Sequence, residues 1–225
     1  MYRERPSSVV GGVLWTGMAA GGQRIVPDGA MDLIWVGDHI LIAGPDSQAH
    51  VSSLTAGTAL TGLRFAPGTL PGILGLPASE LRDLRVRLDE VWSRSEAQRL
   101  ADRIAGAADP GSALEAASAE CLRAAGPRPP IVGAIVTRVR GGQPIAAVAA
   151  EVGLSERQLH RRSLAAFGYG PKVLARVLRM DRALALARAG VPFAETAARA
   201  GYADQAHLAR DVRALTGTSL GILVG

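Results

Sequence analysis

The chain has 225 residues, 48% of them hydrophobic and 20% charged, with a net charge of +5. That length suffices for one or two domains with real cores, and the composition excludes a disordered chain. A single cysteine, Cys121, excludes a disulfide framework and a cysteine-ligated metal cluster.

No stretch reads as a signal peptide, and no apolar run reaches the ~18 residues a membrane helix needs. A cytoplasmic protein without membrane contact is therefore expected. The charge is unevenly spread. Residues 1–127 hold 11 arginines against 14 acids (net −3), and residues 128–225 hold 14 Lys plus Arg against 6 acids (net +8). A basic C-terminal half favours nucleic acid as its partner, because neutralised phosphates supply most non-specific affinity. Lys172 stands alone among arginines, a composition that fits a GC-rich bacterial genome.

From the start to about residue 77 the signals are those of strands and turns. Gly11-Gly12, Gly21-Gly22, Pro27-Asp28-Gly29, Gly37-Asp38, Gly44-Pro45 and Ala66-Pro67-Gly68 punctuate short apolar runs such as MDLIWV, HILIAG and LTGLRF. We read a compact β-rich half-barrel or sandwich. Short helices are expected over 71–76 and 79–84, a strand over 86–92, and helices over 95–107 and 110–125. Gly126-Pro-Arg-Pro-Pro130 reads as a stiff linker, and 131–140 as the first helix of a second domain. The fold class is thus α+β. A β-rich domain with a few helices spans 1–126, and an all-α domain spans 127–225.

The second domain contains one unit written twice. Pro144, Ala149, Ala150 and Gly153 return 48 residues later as Pro192, Ala197, Ala198 and Gly201. Leu159 with Arg161 is matched by Leu208 with Arg210, and a second glycine, Gly168 or Gly217, closes each unit. Proline suits a first helical turn, small residues admit a crossing helix, and glycine stops the helix and turns the chain. Ser155 with Gln158 forms a capping-box pattern, and Asp204 can cap the corresponding helix of the second copy. This is helix-turn-helix geometry, with the second helix of each unit as the candidate reader of a DNA major groove.

Helical spacing assigns the groove-facing side chains. With Leu159 directed inward, Arg157, Gln158, His160 and Arg161 take the outer side of the first reader; Gln205, Ala206, Arg210 and Arg213 take it in the second. Arginine can grip guanine bidentately and glutamine can grip adenine. Between the units, about 171–189 reads as a linking helix, roughly 28 Å long at 1.5 Å per residue, close to the ~34 Å between successive major-groove faces.

These features together resemble the AraC type of bacterial transcription regulators. The resemblance covers Arg128 to Gly225 and rests on the doubled helix-turn-helix, G-Y-G-P at 168–171, R-M-D-R-A-L at 179–184, and A-A-R-A-G-Y-A-D-Q-A-H-L-A-R at 197–210. It implies two recognition helices held by a central helix, with Arg157, His160, Arg161, Gln205, Ala206 and Arg210 at the reading positions. Ser163 and Val212 stand where that family usually has phenylalanine, Leu174 and Leu223 where it often has an aromatic, and Leu220 where a closing proline is usual. The second unit is expected to be the weaker.

The N-terminal segments R-I-V-P-D-G-A-M-D-L-I-W, A-G-P-D, G-L-R-F-A-P-G and L-G-L-P-A-S-E-L-R-D resemble an uncharacterised domain commonly fused to AraC-like DNA-binding domains. That precedent implies an effector-binding or dimerising role. Trp15, Arg24, Trp35 and Arg64 are the candidate effector-binding residues, since small-molecule pockets combine aromatic walls with a few polar anchors. Asp28 and Asp32 read more simply as a turn and as the partner of an arginine.

His39 and His50 are too far apart to suggest a metal, and no metal or other cofactor is expected. No nucleophile elbow, phosphate-binding glycine loop or zinc spacing is present, so no enzymatic activity is expected. The expectation is a sequence-specific DNA-binding transcription regulator with double-stranded DNA as partner and a small effector or self-assembly as control. A homodimer, and RNA polymerase contact in the case of an activator, are compatible with it. The alternative is a β-domain that binds or modifies a metabolite, with the helical half serving assembly.

Overall fold

The structure, a computed structural model, describes residues 2–225. Its strands are β1 (Arg3–Pro6), β2 (Val13–Met18), β3 (Arg24–Ile25), β4 (Met31–Val36), β5 (His39–Ala43), β6 (His50–Val51), β7 (Ala59–Phe65) and β8 (Arg85–Arg87). Six form an antiparallel sheet in the order β1-β2-β7-β4-β5-β8, and β3 pairs with β6 as a separate ribbon. Period-two alternation gives the sheet two distinct faces.

One face presents Leu14, Met31, Leu33, Trp35, Ile40, Ile42, Leu63 and Phe65. Against it pack α1 (Leu70–Leu74), α2 (Arg94–Ala105) and α3 (Pro110–Ala125), through Leu70, Ile73, Ala97, Ala101, Ile104 and Leu114. Burying each larger side chain contributes on the order of 1.5–3 kcal/mol. The layer opposite the sheet is therefore helical rather than a second sheet. The other face carries Trp15, Ile34, Val36, Ala43 and Leu60, with Leu54 packed on them.

Two expected elements are shorter than the sequence suggests. The helix over 79–84 is a single 3-10 turn, Ala78–Glu80. It stops because Asp83, at a left-handed φ of 61°, accepts hydrogen bonds from the Ser47 amide (2.6 Å) and hydroxyl (2.8 Å), which fixes the chain as a loop. The strand over 86–92 ends at Arg87, where the Glu90 carboxylate accepts the Arg87 amide at 2.7 Å and starts another 3-10 turn.

The remaining helices are α4 (Pro130–Arg140), α5 (Ile145–Glu151), α6 (Glu156–Phe167), α7 (Pro171–Arg188), α8 (Phe193–Ala200), α9 (Gln205–Thr216) and α10 (Leu220–Val224). Helices α5–α6 and α8–α9 are the two copies of the repeat. Each has its own core, and α7 supplies side chains to both. Leu174, Val177 and Leu178 join Val148, Leu159 and Phe167 on one side. Met180, Ala183 and Leu184 join Ala197, Leu208, Val212 and Leu215 on the other. Leu174, Val212 and Leu220, which depart from the pattern of the resembled family, are buried and fill the space as aliphatics. Ser163 is completely buried, and its hydroxyl has no hydrogen-bond partner.

The sheet domain and the helical domain meet along a close seam. The 3-10 turn at Ala78–Glu80 lies on α6, and the Arg128 guanidinium donates to the Pro67 carbonyl at 3.1 Å. Gly168, with φ +83°, is the left-handed residue that ends α6; a Cβ there would sit 2.5 Å from Pro45 Cγ and 3.2 Å from the Ala78 carbonyl oxygen. Gly153 has the same backbone need, φ +70°, but a Cβ there would meet nothing within 4 Å. Comparing the two separates backbone strain from the seam. Gly153→Ala is expected to cost about 1–3 kcal/mol in chemical denaturation of the full chain, and Gly168→Ala measurably more. Equal losses would show that the seam tolerates the added methyl group.

Candidate nucleic-acid interface and the cavity behind it

The first reader, α6, begins with a full capping box. The Ser155 hydroxyl accepts the Gln158 amide at 3.2 Å, and the Gln158 side chain accepts the Ser155 amide at 2.8 Å. Asp204 caps α9 by accepting the His207 amide at 2.6 Å. Both readers thus start at the positions that the sequence marks.

On α6, Arg157, Gln158, His160 and Arg161 are exposed; on α9, Gln205, Ala206, Arg210 and Arg213 are exposed. Two of these side chains have local attachments. The Gln158 carbonyl oxygen is used in the cap, leaving its amide group to donate. The His160 ring lies against Gly170, where an added Cβ would come 2.8 Å from the ring, so His160 sits at the edge of the reading face.

Arg157, Arg161, Arg210 and Arg213 make no ion pair with any of the described residues. Other arginines of this half do: Arg138 with Glu151 at 2.6 Å, Arg199 with Glu195 at 3.2 Å, and Arg176 and Arg179 with Asp211. Arg140, Arg182 and Arg188, off the readers, also lack an ion pair; on the two reader faces all four arginines do, and there anionic phosphate or base acceptors would have to come from outside.

Asp211 is the residue that the sequence reading does not single out. It is 7% exposed on α9, and it accepts from Arg176, from Arg179 at 3.3 Å and from the Tyr202 hydroxyl at 3.1 Å. The Arg179 guanidinium also lies 4.4 Å from the centre of the Tyr202 ring. This cluster fastens the second reader to α7, and it occupies two arginines that α7 could otherwise have offered to phosphate.

Behind the readers lie two hollows. A cleft of about 570 Å³ separates α1 and the 125–129 linker from α6, and is lined on the α6 side by Gln158, Arg161, Arg162 and Ala165. Arg162, which the reader pattern passes over, lines this cleft beside Gln158 and Arg161.

The larger hollow, about 700 Å³, lies between the second face of the sheet and α7. Trp15, Arg24 and Arg64 line it, together with Asp28, Asp32, Asp46, Arg85 and, from α7, Asp181 and Arg188. Trp35 does not; it points to the opposite face of the sheet, into the core with the helices. Strand register creates the polar floor, since Arg64 pairs across to Asp32, Asp32 to Ala43, and Ala43 to Arg85.

Within this cavity Asp46 and Arg85 form a bidentate pair at 2.6 and 2.9 Å. Arg64 is held less well: its Nε lies 3.4 Å from Asp28 and 3.5 Å from Asp32, and has no hydrogen-bond partner. The Trp15 indole donates to Asp32 at 2.9 Å and lies over Gly62, where a Cβ would come within 2.2 Å of the ring. Burial pushes the carboxyls of Asp32 and Asp181 above their ordinary range, against the pull of Arg64 on Asp32 and despite Arg140 and Arg188 near Asp181.

The cavity wall also reaches the second reader. Arg24 donates to the Thr216 carbonyl at 2.7 Å and the Ala49 amide donates to the Leu215 carbonyl at 2.7 Å, so the β3–β6 region holds the C-terminal end of α9.

Residues 148–222 match a family described as a helix-turn-helix domain, and residues 13–87 match a domain of unknown function, DUF6597. The chain carries a helix-turn-helix domain of the AraC type and is a DNA-binding transcription regulator. Among solved structures it is similar to an apo point variant of ToxT from Vibrio cholerae, with 10% identity and a TM-score of 0.56 over 99% of this chain and 98% of that one. It is also similar to ToxT bound to an unsaturated fatty acid, with 9% identity and a TM-score of 0.53 over 94% of each chain. A third ToxT structure, bound to (E)-4-(8-methylnaphthalen-1-yl)but-3-enoic acid, matches with 11% identity and a TM-score of 0.50 over 93% of this chain and 99% of that one.

These likenesses concern the fold. No curated relative matches the chain in sequence. AraC-like regulator folds are in general non-enzymatic. Among the described residues no cluster of metal-ligating side chains occurs, and no helix is long and apolar enough to cross a membrane.

Because Asp211 is buried and shared by three donors, Asp211→Ala is expected to cost on the order of 3 kcal/mol. Hydrogen exchange should show protection lost first over α9, with α5–α6 retaining theirs. Loss spread evenly over both repeats would contradict a local clamp.

Proposed function

We propose that this AraC-type regulator reads DNA sequence-specifically with both repeats, and that a small molecule in the 700 Å³ cavity controls it. Residues 1–126 form the sensing part and residues 127–225 the DNA-binding part. Arg157, Gln158, His160 and Arg161 contact one major-groove face, and Gln205, Ala206, Arg210 and Arg213 contact the next. The 18 residues of α7, about 27 Å at 1.5 Å each, act as the spacer. The observation that supports this reading best is that all four arginines on the two exposed reader faces are without a carboxylate partner among the described residues, while Arg176 and Arg179 beside them are spent on Asp211.

The cavity is proposed as the effector site because it joins the sheet to α7, and because its wall residue Arg24 bonds the end of α9. Trp15, Arg24 and Arg64 would be contacts; Trp35 would act through the core beneath. ToxT with organic acids bound offers a precedent for small ligands on this fold.

The test begins with selection of bound fragments from the host genome. Against the selected site, Arg157→Ala and Arg210→Ala should each lose about 1–3 kcal/mol of discrimination at one base position and reduce the salt dependence of binding. Arg161→Ala should weaken binding and relax sequence preference in the same way, whereas Lys172→Ala should change little. Unchanged footprints for all three arginine variants would reject the assigned readers.

A further inference from the structure

We infer that the effector of the large cavity is an organic amine, a protonated ammonium carried on an apolar or aromatic body. This rests on the cavity being the effector site and deepens that reading by naming the ligand's chemistry.

The inference follows from where the charges lie. Asp46 and Arg85 neutralise each other in a bidentate pair. Arg24 and Arg188 are both exposed, and the Arg24 guanidinium is turned to the Thr216 carbonyl. What remains on the sheltered wall is Arg64 against three carboxylates, Asp28 and Asp32 from the sheet domain and Asp181 from α7. Arg64 serves two of them at 3.4 and 3.5 Å, outside good hydrogen-bonding distance. Asp181 has no hydrogen bond or ion pair among the described residues.

Arg140 and Arg188 act on Asp181 without a hydrogen bond or ion pair, so this wall keeps carboxylate acceptors with no direct partner where water is partly excluded, a setting that favours a cation with donors of its own. Burial raises the carboxyls of Asp32 and Asp181, so each holds its proton more readily than a free carboxyl and gains most from a cation placed beside it.

The rest of the lining supplies what an amine's body needs. Trp15 and Tyr2 stack with ring centres 6.1 Å apart and both line the cavity, offering aromatic faces that attract an ammonium as well as an apolar chain. Met18, Ile25, Leu54 and Leu60 complete an apolar wall. The Trp15 indole N–H is bonded to Asp32, which holds that carboxylate in place. An ammonium between Asp28 or Asp32 and Asp181 would bridge the two domains through its three donors. A carboxylic acid of the kind bound to ToxT would instead have to be received by Arg64 among three carboxylates, or by Arg188 at the exposed rim.

The experiment uses the full chain and three probes of one shape: 4-phenylbutylamine, 4-phenylbutan-1-ol and 4-phenylbutyrate, titrated by calorimetry near neutral pH. The amine should bind and the acid should not. Asp181→Asn should weaken the amine about tenfold, the loss expected for one charge-assisted contact, while Arg64→Gln, which removes the cation competing for Asp28 and Asp32, should tighten it. Circular dichroism of each variant confirms that it is folded. Should Asp181→Asn fail to fold, Asp28→Asn provides the same reading from the sheet side.

Binding of the acid in preference to the amine, lost in Arg64→Gln, would overturn the amine and leave the cavity as effector site. Amine binding indifferent to both aspartate variants would also overturn it. Absence of binding by all three probes would overturn the amine and the cavity reading together.

Discussion

A buried carboxylate decides how the second half of the DNA-binding domain is held. Asp211 takes its donors from α7 and from Tyr202, so α9 is fixed on the central helix by direction-dependent bonds as well as by Leu208, Val212 and Leu215. Apolar contacts alone would let a helix of 12 residues roll about its axis at little cost; hydrogen bonds to one carboxylate do not. The first repeat is organised differently, by a core in which Leu159, Phe167 and Tyr169 are almost wholly enclosed. One reader is thus positioned by packing and the other by packing plus charge.

Helix α7 links these arrangements to the sheet domain. Its apolar positions feed both repeat cores, its arginines clamp Asp211, and Asp181 and Arg188 close one side of the cavity. The sheet contributes the other side through a row of residues that strand pairing alone brings together. The same seam carries the bonds from Arg24 and Ala49 to the end of α9. The cavity wall and the seating of the second reader therefore share residues directly, without a chain of intermediates.

Much of the helical half was legible in the sequence because its constraints are local. Proline, small residues and a turn glycine recur at fixed offsets, and Ser155, Gln158 and Asp204 act within one helical turn. Asp211 was not legible in this way, since its two arginine partners lie 32 and 35 residues away on another helix. The site in the sheet domain was legible only in part. Trp15, Arg24 and Arg64 reach the cavity, but Asp181 meets it across a domain boundary that periodicity cannot describe. Trp35 illustrates a signal available in principle: three residues beyond Asp32 on one strand, it has to point to the opposite face. The short turns at 78–80 and 88–90 escaped for the opposite reason, because side chains of Asp83 and Glu90 override a pattern that reads as longer elements.

The double duty of α7 bears on how such a regulator diversifies. Side chains along its cavity-facing edge lie within a turn or two of those that pack both reader cores, so under the proposed function a replacement that retuned ligand choice there would also disturb operator geometry. The strand side of the cavity carries no such burden, apart from Arg24. Divergence in ligand preference among related chains should therefore accumulate on the sheet, while the helix stays close to its ancestral pattern.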